Sequence, residues 1–142
     1  MRSEEIMAAA RDALKALKNY PVYFDNVKEG MKTPCFFVKL VDVAHQESRG
    51  LVYHDCTLHI TFFSKKYQME PIKLYALKDD LVGAFVQGLK VGTRYLKFSD
   101  CNSSLEGEDA DLVLLDMPFT YYEHIDEKKP EYLMEKLHVV ER

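Results

Sequence analysis

The run Leu51–Phe63 (LVYHDCTLHITFF) constrains this chain more than any other. From Val52 onward its even positions carry Val52, His54, Cys56, Leu58, Ile60 and Phe62, and its odd positions carry Tyr53, Asp55, Thr57, His59 and Thr61. A period of two marks a strand with one buried face, because successive side chains leave a pleated backbone on opposite sides. Such a strand needs a hydrogen-bonding partner and a cover for its apolar face. The partner lies just upstream in Cys35–Val43 (CFFVKLVDV), and the segment between them, Ala44–Gly50 (AHQESRG), is polar and ends in glycine. This arrangement predicts an antiparallel hairpin at the centre of a sheet, with Ala44–Gly50 as its connecting loop. The upstream strand is apolar on both faces, Phe36, Val38 and Leu40 against Phe37, Val41 and Val43, with Lys39 the interruption. It is therefore expected to have helices on one side and another subunit on the other.

Two helices are expected to supply the cover. Ser3 is placed to cap a first helix with Glu4 and Glu5 in its opening turn, where carboxylates meet the positive end of the helix dipole. Ile6, Ala10, Ala13, Leu14 and Leu17 then fall on one stripe, and Asn19 and Pro21 end the helix. A short extended piece, Pro21–Val27, and a turn-prone segment, Lys28–Pro34, lead into the hairpin. The second helix is signalled from Pro71 by Ile72, Tyr75, Leu81, Val82, Phe85, Val86 and Leu89, with Lys90 in its last turn and Gly92 as its stop. Arg94–Ser99 reads as a strand, Asp100–Asp111 as an acidic loop, and Leu112–Tyr122 as a long strand in which Pro118 implies an edge position or a bulge. Beyond it, Pro130 opens a final helical or extended segment. The fold class is α+β, a mixed and mostly antiparallel sheet with a long central hairpin, flanked by the two helices in one domain spanning residues 1–142.

Composition removes several function classes. The chain has 142 residues, 47% of them hydrophobic and 30% charged, which suits one folded core and no disordered chain. No apolar run approaches the roughly 20 residues of a membrane helix, and the N-terminal stretch is broken by charges, unlike a secretion signal. A cytoplasmic protein with no membrane partner is expected. Three cysteines without CxxC spacing fit reduced thiols in that compartment. With a net charge of -4 and no basic block, a grip on nucleic acid is disfavoured, since such affinity comes from Lys and Arg neutralising phosphates.

No constellation singles out an active centre. His54, Cys56 and His59 raise a zinc reading, but strand geometry turns His59 away from the other two and no CxxC completes the set. The oxygen-bearing loop Asp100–Asp111 resembles a calcium loop, yet Leu105 stands where glycine is needed and Asp111 where a long bidentate Glu belongs. No GxSxG elbow supports a nucleophile, Gly88 and Gly92 form no phosphate cradle, and Asp79 and Asp80 lie on the polar face of the second helix. The chain is expected to be no enzyme and to use no cofactor and no metal.

Aromatic content is the remaining signal: nine Tyr and eight Phe with no Trp. Several of them, Tyr23, Phe37, Tyr53, Phe63, Tyr95 and Tyr122, fall on strand faces that a lone molecule would leave open. Tyr adds large contact area at small entropic cost and is enriched at protein interfaces. This pattern favours self-association.

Taken in order, the entry YPVYFDNVKEGMKTPCFFVKLV, the hairpin ending in CTLHITFF, the helix from Pro71 and the late strand LVLLDMPFTYY resemble the phage tail terminator family over nearly the whole chain. The resemblance is to the small forms from phages and defective prophages of Gram-positive bacteria. It implies a ring, typically a hexamer, that caps the tail tube, ends tail polymerisation, joins the head through a head-completion protein and lets DNA pass without specific binding. It implies no catalytic residue. Ring contacts are assigned to Phe37, Tyr53, Phe63, Tyr121 and Tyr122. Contacts with the tail tube protein or the head are assigned to His45, Glu47, Arg49, Glu106, Glu108 and Asp109 on the two polar loops. The alternatives are another phage head or tail tube component, and a small-molecule-binding or enzymatic domain with a pocket between the long helix and the sheet.

Overall fold

The computed structural model describes residues 2–24, 32–65, 68–107 and 112–125. In chain order these form α1 (Ser3–Leu17), β1 (Val22–Phe24), β2 (Cys35–Ser48), β3 (Leu51–Phe63), α2 (Pro71–Phe85), β4 (Leu89–Val91), β5 (Arg94–Leu96), β6 (Asn102–Glu106) and β7 (Leu112–His124). The principal sheet has the order β1-β2-β3-β7-β6, parallel between β1 and β2 and antiparallel elsewhere, and β4 and β5 make a separate small hairpin. This is the expected α+β architecture with the long hairpin at its centre.

The hairpin register sorts the side chains. Phe36 lies opposite Phe62, Val38 opposite Ile60 and Leu40 opposite Leu58, and across β7 the same face continues as Val113, Leu115, Met117 and Phe119. This face is the core, with Phe36, Phe62, Leu58, Ile60 and Leu115 fully buried. Helix α1 seals it with Ile6, Ala10 and Leu14, and α2 with Leu74, Leu77, Leu81 and Phe85. Tyr20, just beyond α1, lays its ring against Phe36 and Phe62 at 6.0 and 5.8 Å, closing the layer at that end.

Several boundaries differ from the sequence expectation. Arg2, not Ser3, is the N-cap of α1, and its backbone N–H donates to Glu5 Oε1 at 3.2 Å. The buried stripe of α2 is Leu74, Leu77, Leu81 and Phe85, whereas Ile72, Tyr75 and Val86 are exposed. Apolar residues surround this helix on nearly every side, so periodicity cannot tell which stripe meets the sheet. The helix also ends at Phe85. Gly88, at φ +115°, turns the chain so that Leu89 and Val91 enter β4 as buried strand residues in place of a last helical turn. A side chain at Gly88 would place its Cβ 2.5 Å from Leu96 O, so the close approach of β4 to β5 requires glycine. The strand expected over Arg94–Ser99 ends at Leu96.

The expected acidic loop contains β6, which pairs with β7 from Asn102 opposite Asp116 to Glu106 opposite Leu112. Its sequence, NSSLE, has one apolar residue because an edge strand needs little else, and polar edges discourage further pairing. Pro118 sits two residues past the end of this pairing. Its carbonyl accepts from Ser99 N–H at 2.8 Å on the side away from β3, beyond the end of the β6 pairing, so its missing N–H removes no bond of the β3–β7 ladder. The segment after Ile125, with the expected helix from Pro130, lies outside the described residues.

Candidate assembly surface and the polar cluster beside it

Both helices pack on one side of the sheet, and no described element covers the other. That open face carries Phe37, Val41, Val43, Tyr53, Phe63, Leu112, Leu114 and Tyr122 among Lys39, Asp55, Thr57, His59, Thr61 and Asp116. Val41, Val43 and Tyr122 are 41%, 50% and 52% exposed, a large apolar load for a solvated sheet surface. Its aromatics form two clusters: Tyr23 with Phe37 at 5.8 Å, and Tyr53 between Tyr122 at 5.1 Å and His45 at 6.2 Å. Between them, His59 Nδ1 hydrogen-bonds Asp116 in a shallow groove also lined by Phe37, Lys39, Thr61 and Leu114.

The hairpin reaches well past the helices. Strand β2 is exposed at every residue from Val41 to Ser48, while β3 stays paired with it as far as Leu51 and β7 stays paired with β3 as far as His124. The expected loop Ala44–Gly50 is therefore mostly strand. The turn proper is Arg49-Gly50, Gly50 adopts φ +77°, and Glu47 is the extra residue of a β-bulge between Gln46 and Ser48. The Gly50 carbonyl accepts from Ile125 N–H at 2.8 Å, tying the turn to the end of β7. His45, Glu47 and Arg49 thus sit exposed on a projecting three-stranded tongue rather than on a free loop. Polar composition misled here because a strand exposed on both faces needs no apolar alternation.

Of the residues assigned to self-contact, Phe37, Tyr53, Phe63 and Tyr122 all lie on the open face. Tyr121 does not: it points to the helix side, is 9% exposed, and stacks on His54 with ring centroids 4.4 Å apart and planes 8° from parallel. The alternation of β7 sends neighbouring tyrosines to opposite faces, so Tyr121 is removed from the contact set. Glu106 ends β6 and is exposed, whereas Glu108 and Asp109 lie outside the described residues.

Tyr121 belongs to a polar cluster on the helix side, where the core gives way to the tongue. His54 Nδ1 lies 2.9 and 3.0 Å from the two Asp42 carboxylate oxygens, and its Nε2 lies 3.1 Å from Glu123 Oε2. The Cys56 thiol donates to Asp42 Oδ1 at 3.3 Å. Hairpin register sets Asp42 directly opposite Cys56, and the pairing of β3 with β7 sets Tyr121 directly opposite His54. His54 and Cys56 do share a face as their spacing predicts, and His59 is on the other. Asp42 and Glu123 are distant from His54 in sequence and meet it only through strand pairing, which no local pattern signals.

Burial foremost, then the hydrogen bond and charge of Asp42, pushes the Cys56 thiol up to about 12. Burial likewise raises the Tyr121 phenol to about 12, aided by neighbouring negative charge and opposed by Arg94. The thiolate is the nucleophilic form of cysteine, so this shift lowers the reactivity of the Cys56 thiol. Cys35 and Cys101 are raised as well, mainly by burial. All three cysteines are free.

A family model described as phage tail terminator protein matches residues 5–131. No curated protein matches by sequence. Among solved structures, a chain from the virion of a native gene transfer agent particle aligns at 17% identity and a TM-score of 0.48, covering 82% of this chain and 92% of that one. A second solved chain shares the fold at 12% identity and a TM-score of 0.50, with 89% of this chain and 97% of that one covered.

Proposed function

Because this chain belongs to the phage tail terminator proteins, a family of tail structural proteins, we propose that it acts as one subunit of a closed ring, a hexamer, that caps the tail tube. In this role the ring halts tube polymerisation and offers the surface on which the head-completion protein docks. The observation that carries the reading is the open, aromatic sheet face beside a tongue of strands that projects beyond the helices. A face of this kind needs a neighbour. A contact between two different surfaces of one chain either closes into a ring or grows without limit, and a terminator requires closure.

Phe37, Tyr53, Phe63 and Tyr122 supply the ring contact in this reading, and the tip around His45, Glu47 and Arg49 reaches the tail tube or the head. Assembly takes place in the cytoplasm and needs no membrane. The net charge of -4 suits a bore that DNA traverses without being held.

The test is the purified protein mixed with tail tubes and imaged by electron microscopy, together with its mass in solution. Rings at tube ends support the reading, and tubes whose length and ends are unaffected refute it. Phe37→Asp and Tyr53→Asp are expected to abolish ring and cap while leaving a folded monomer. If both variants still cap tubes, the contact face is wrongly assigned.

A further inference from the structure

The cluster beside the tongue has the donor set and spacing of a transition-metal site. Contrary to the expectation from sequence, we propose that Asp42, His54 and Cys56 bind a divalent cation of the zinc class, with Glu123 as the outer carboxylate that orients the histidine.

Distances carry the first part of the argument. One ligand atom from each of the three residues lies within 4.8 Å of the others, with Nδ1 and Sγ at 2.9 and 3.3 Å from Asp42 Oδ1. Tetrahedral zinc, with bonds of about 2.0–2.3 Å, sets such atoms roughly 3.3–3.6 Å apart. The two contacts to Asp42 need to open by only a few tenths of an ångström, and the His54 Nδ1 and Cys56 Sγ atoms lie within 4.8 Å of each other. Asp42 has room for this, since its side chain is 26% exposed.

Orientation carries the second part. A histidine that ligates metal through one ring nitrogen donates the N–H of the other to a carboxylate, which fixes its tautomer. With metal on Nδ1, the proton of His54 resides on Nε2, and Glu123 Oε2 is the acceptor 3.1 Å away. The Tyr121 ring stacked at 4.4 Å holds the imidazole in that plane.

Charge and chemistry complete it. Asp42 carboxylate, Cys56 thiolate and neutral His54 together neutralise a divalent ion. Imidazole and thiolate select against calcium and magnesium, which take oxygen donors. The cation replaces the thiol proton, so binding releases that proton to solvent and strengthens as pH rises. Asp42, His54 and Glu123 border a groove of about 580 Å³ whose wall also includes Arg2, Ser3 and Glu4, leaving space for water beside the site. Such a site cross-links β2 to β3 where the strands leave the cover of the helices.

The test uses the full chain, tag-free, reduced and stripped of metal, titrated with Co²⁺ and then with Zn²⁺. Expected are one equivalent of Co²⁺, thiolate-to-cobalt charge-transfer absorption in the near ultraviolet, tetrahedral visible bands, displacement by Zn²⁺ and proton release on binding. Cys56→Ser removes the charge-transfer band. Asp42→Asn and His54→Ala weaken binding by about 100-fold or more, and Glu123→Gln keeps the band but weakens binding about 10- to 100-fold. Circular dichroism establishes that each variant is folded, and Cys56→Ala replaces Cys56→Ser if the latter is not. The proposal is overturned if the folded wild type gives no thiolate band, if the band survives loss of Cys56, or if Asp42→Asn and Glu123→Gln bind like the parent. Ring assembly does not enter any of these readouts.

Discussion

Phe36 and Phe37 are adjacent in sequence and chemically identical, yet the sheet sends them to opposite fates. Phe36 is fully buried, with its ring 5.4 Å from Phe62 and 6.0 Å from Tyr20. Phe37 lies on the open face, half-buried, against the partly exposed ring of Tyr23. Truncation of a buried Phe to Ala costs about 3–5 kcal/mol, because the lost transfer energy is joined by that of the cavity left behind. Unfolding entropy of about 2.1 cal/mol/K per residue over 142 residues comes to roughly 0.3 kcal/mol/K. Phe36→Ala is therefore expected to lower the melting midpoint by roughly 13 °C, taking about 4 kcal/mol as the central cost. Phe37→Ala leaves no closed cavity and is expected to cost about 1 kcal/mol or less, a shift of roughly 3 °C. The two variants are compared by thermal melting at low protein concentration and by sedimentation at high concentration. With Phe37 in the ring contact proposed above, the order is expected to invert there: Phe37→Ala loses self-association and Phe36→Ala retains it below its midpoint. Equal melting shifts, or a larger one for Phe37→Ala, would refute the assignment of faces.

Alkaline pH acts on the polar cluster. Cys56 and Tyr121 both have folded pKa values raised to about 12, from ordinary values of 9.0 and 10.0, so the folded state holds their protons longer than the unfolded chain. Their contribution to stability is complete below pH 9.0 and 10.0 respectively and disappears as pH rises through about 12. Denaturant melts between pH 8 and 12 should show this loss, and Tyr121→Phe, scaled to its own stability at neutral pH, should lose less of it above pH 10. At pH 8 native Cys56 should resist alkylation that the unfolded chain undergoes, as mass spectrometry after a short iodoacetamide pulse would reveal. Two glycines separate backbone strain from crowding. Gly50→Ala meets only Ile125 O at 3.7 Å and should cost about 1–2 kcal/mol. Gly88→Ala meets Leu96 O at 2.5 Å and should cost a further ~1–3 kcal/mol for overpacking, both measured by urea denaturation.

Alternation of apolar and polar residues was enough to identify the central strands and their buried face, since period two survives whatever the surroundings. The pairing of β2 with β3 was legible too, because consecutive strands joined by a short polar segment have one economical arrangement. An apolar stripe sufficed for α1 for the same reason. What the residues could not specify by themselves are features that depend on which surfaces meet. The buried side of α2 was decided by the sheet beneath it, among stripes of similar hydrophobicity. Leu89 and Val91 fit a helix end or a strand equally well, and the close approach of β5 at Gly88 made them strand. Edge strand β6 and the tongue from Ala44 to Ser48 carry polar side chains because solvent bathes them, so nothing local marks them as strands. The grouping of Asp42, His54, Cys56, Tyr121 and Glu123 exists only through register. Strand pairing brings together residues dozens of positions apart, and no window of sequence contains that information.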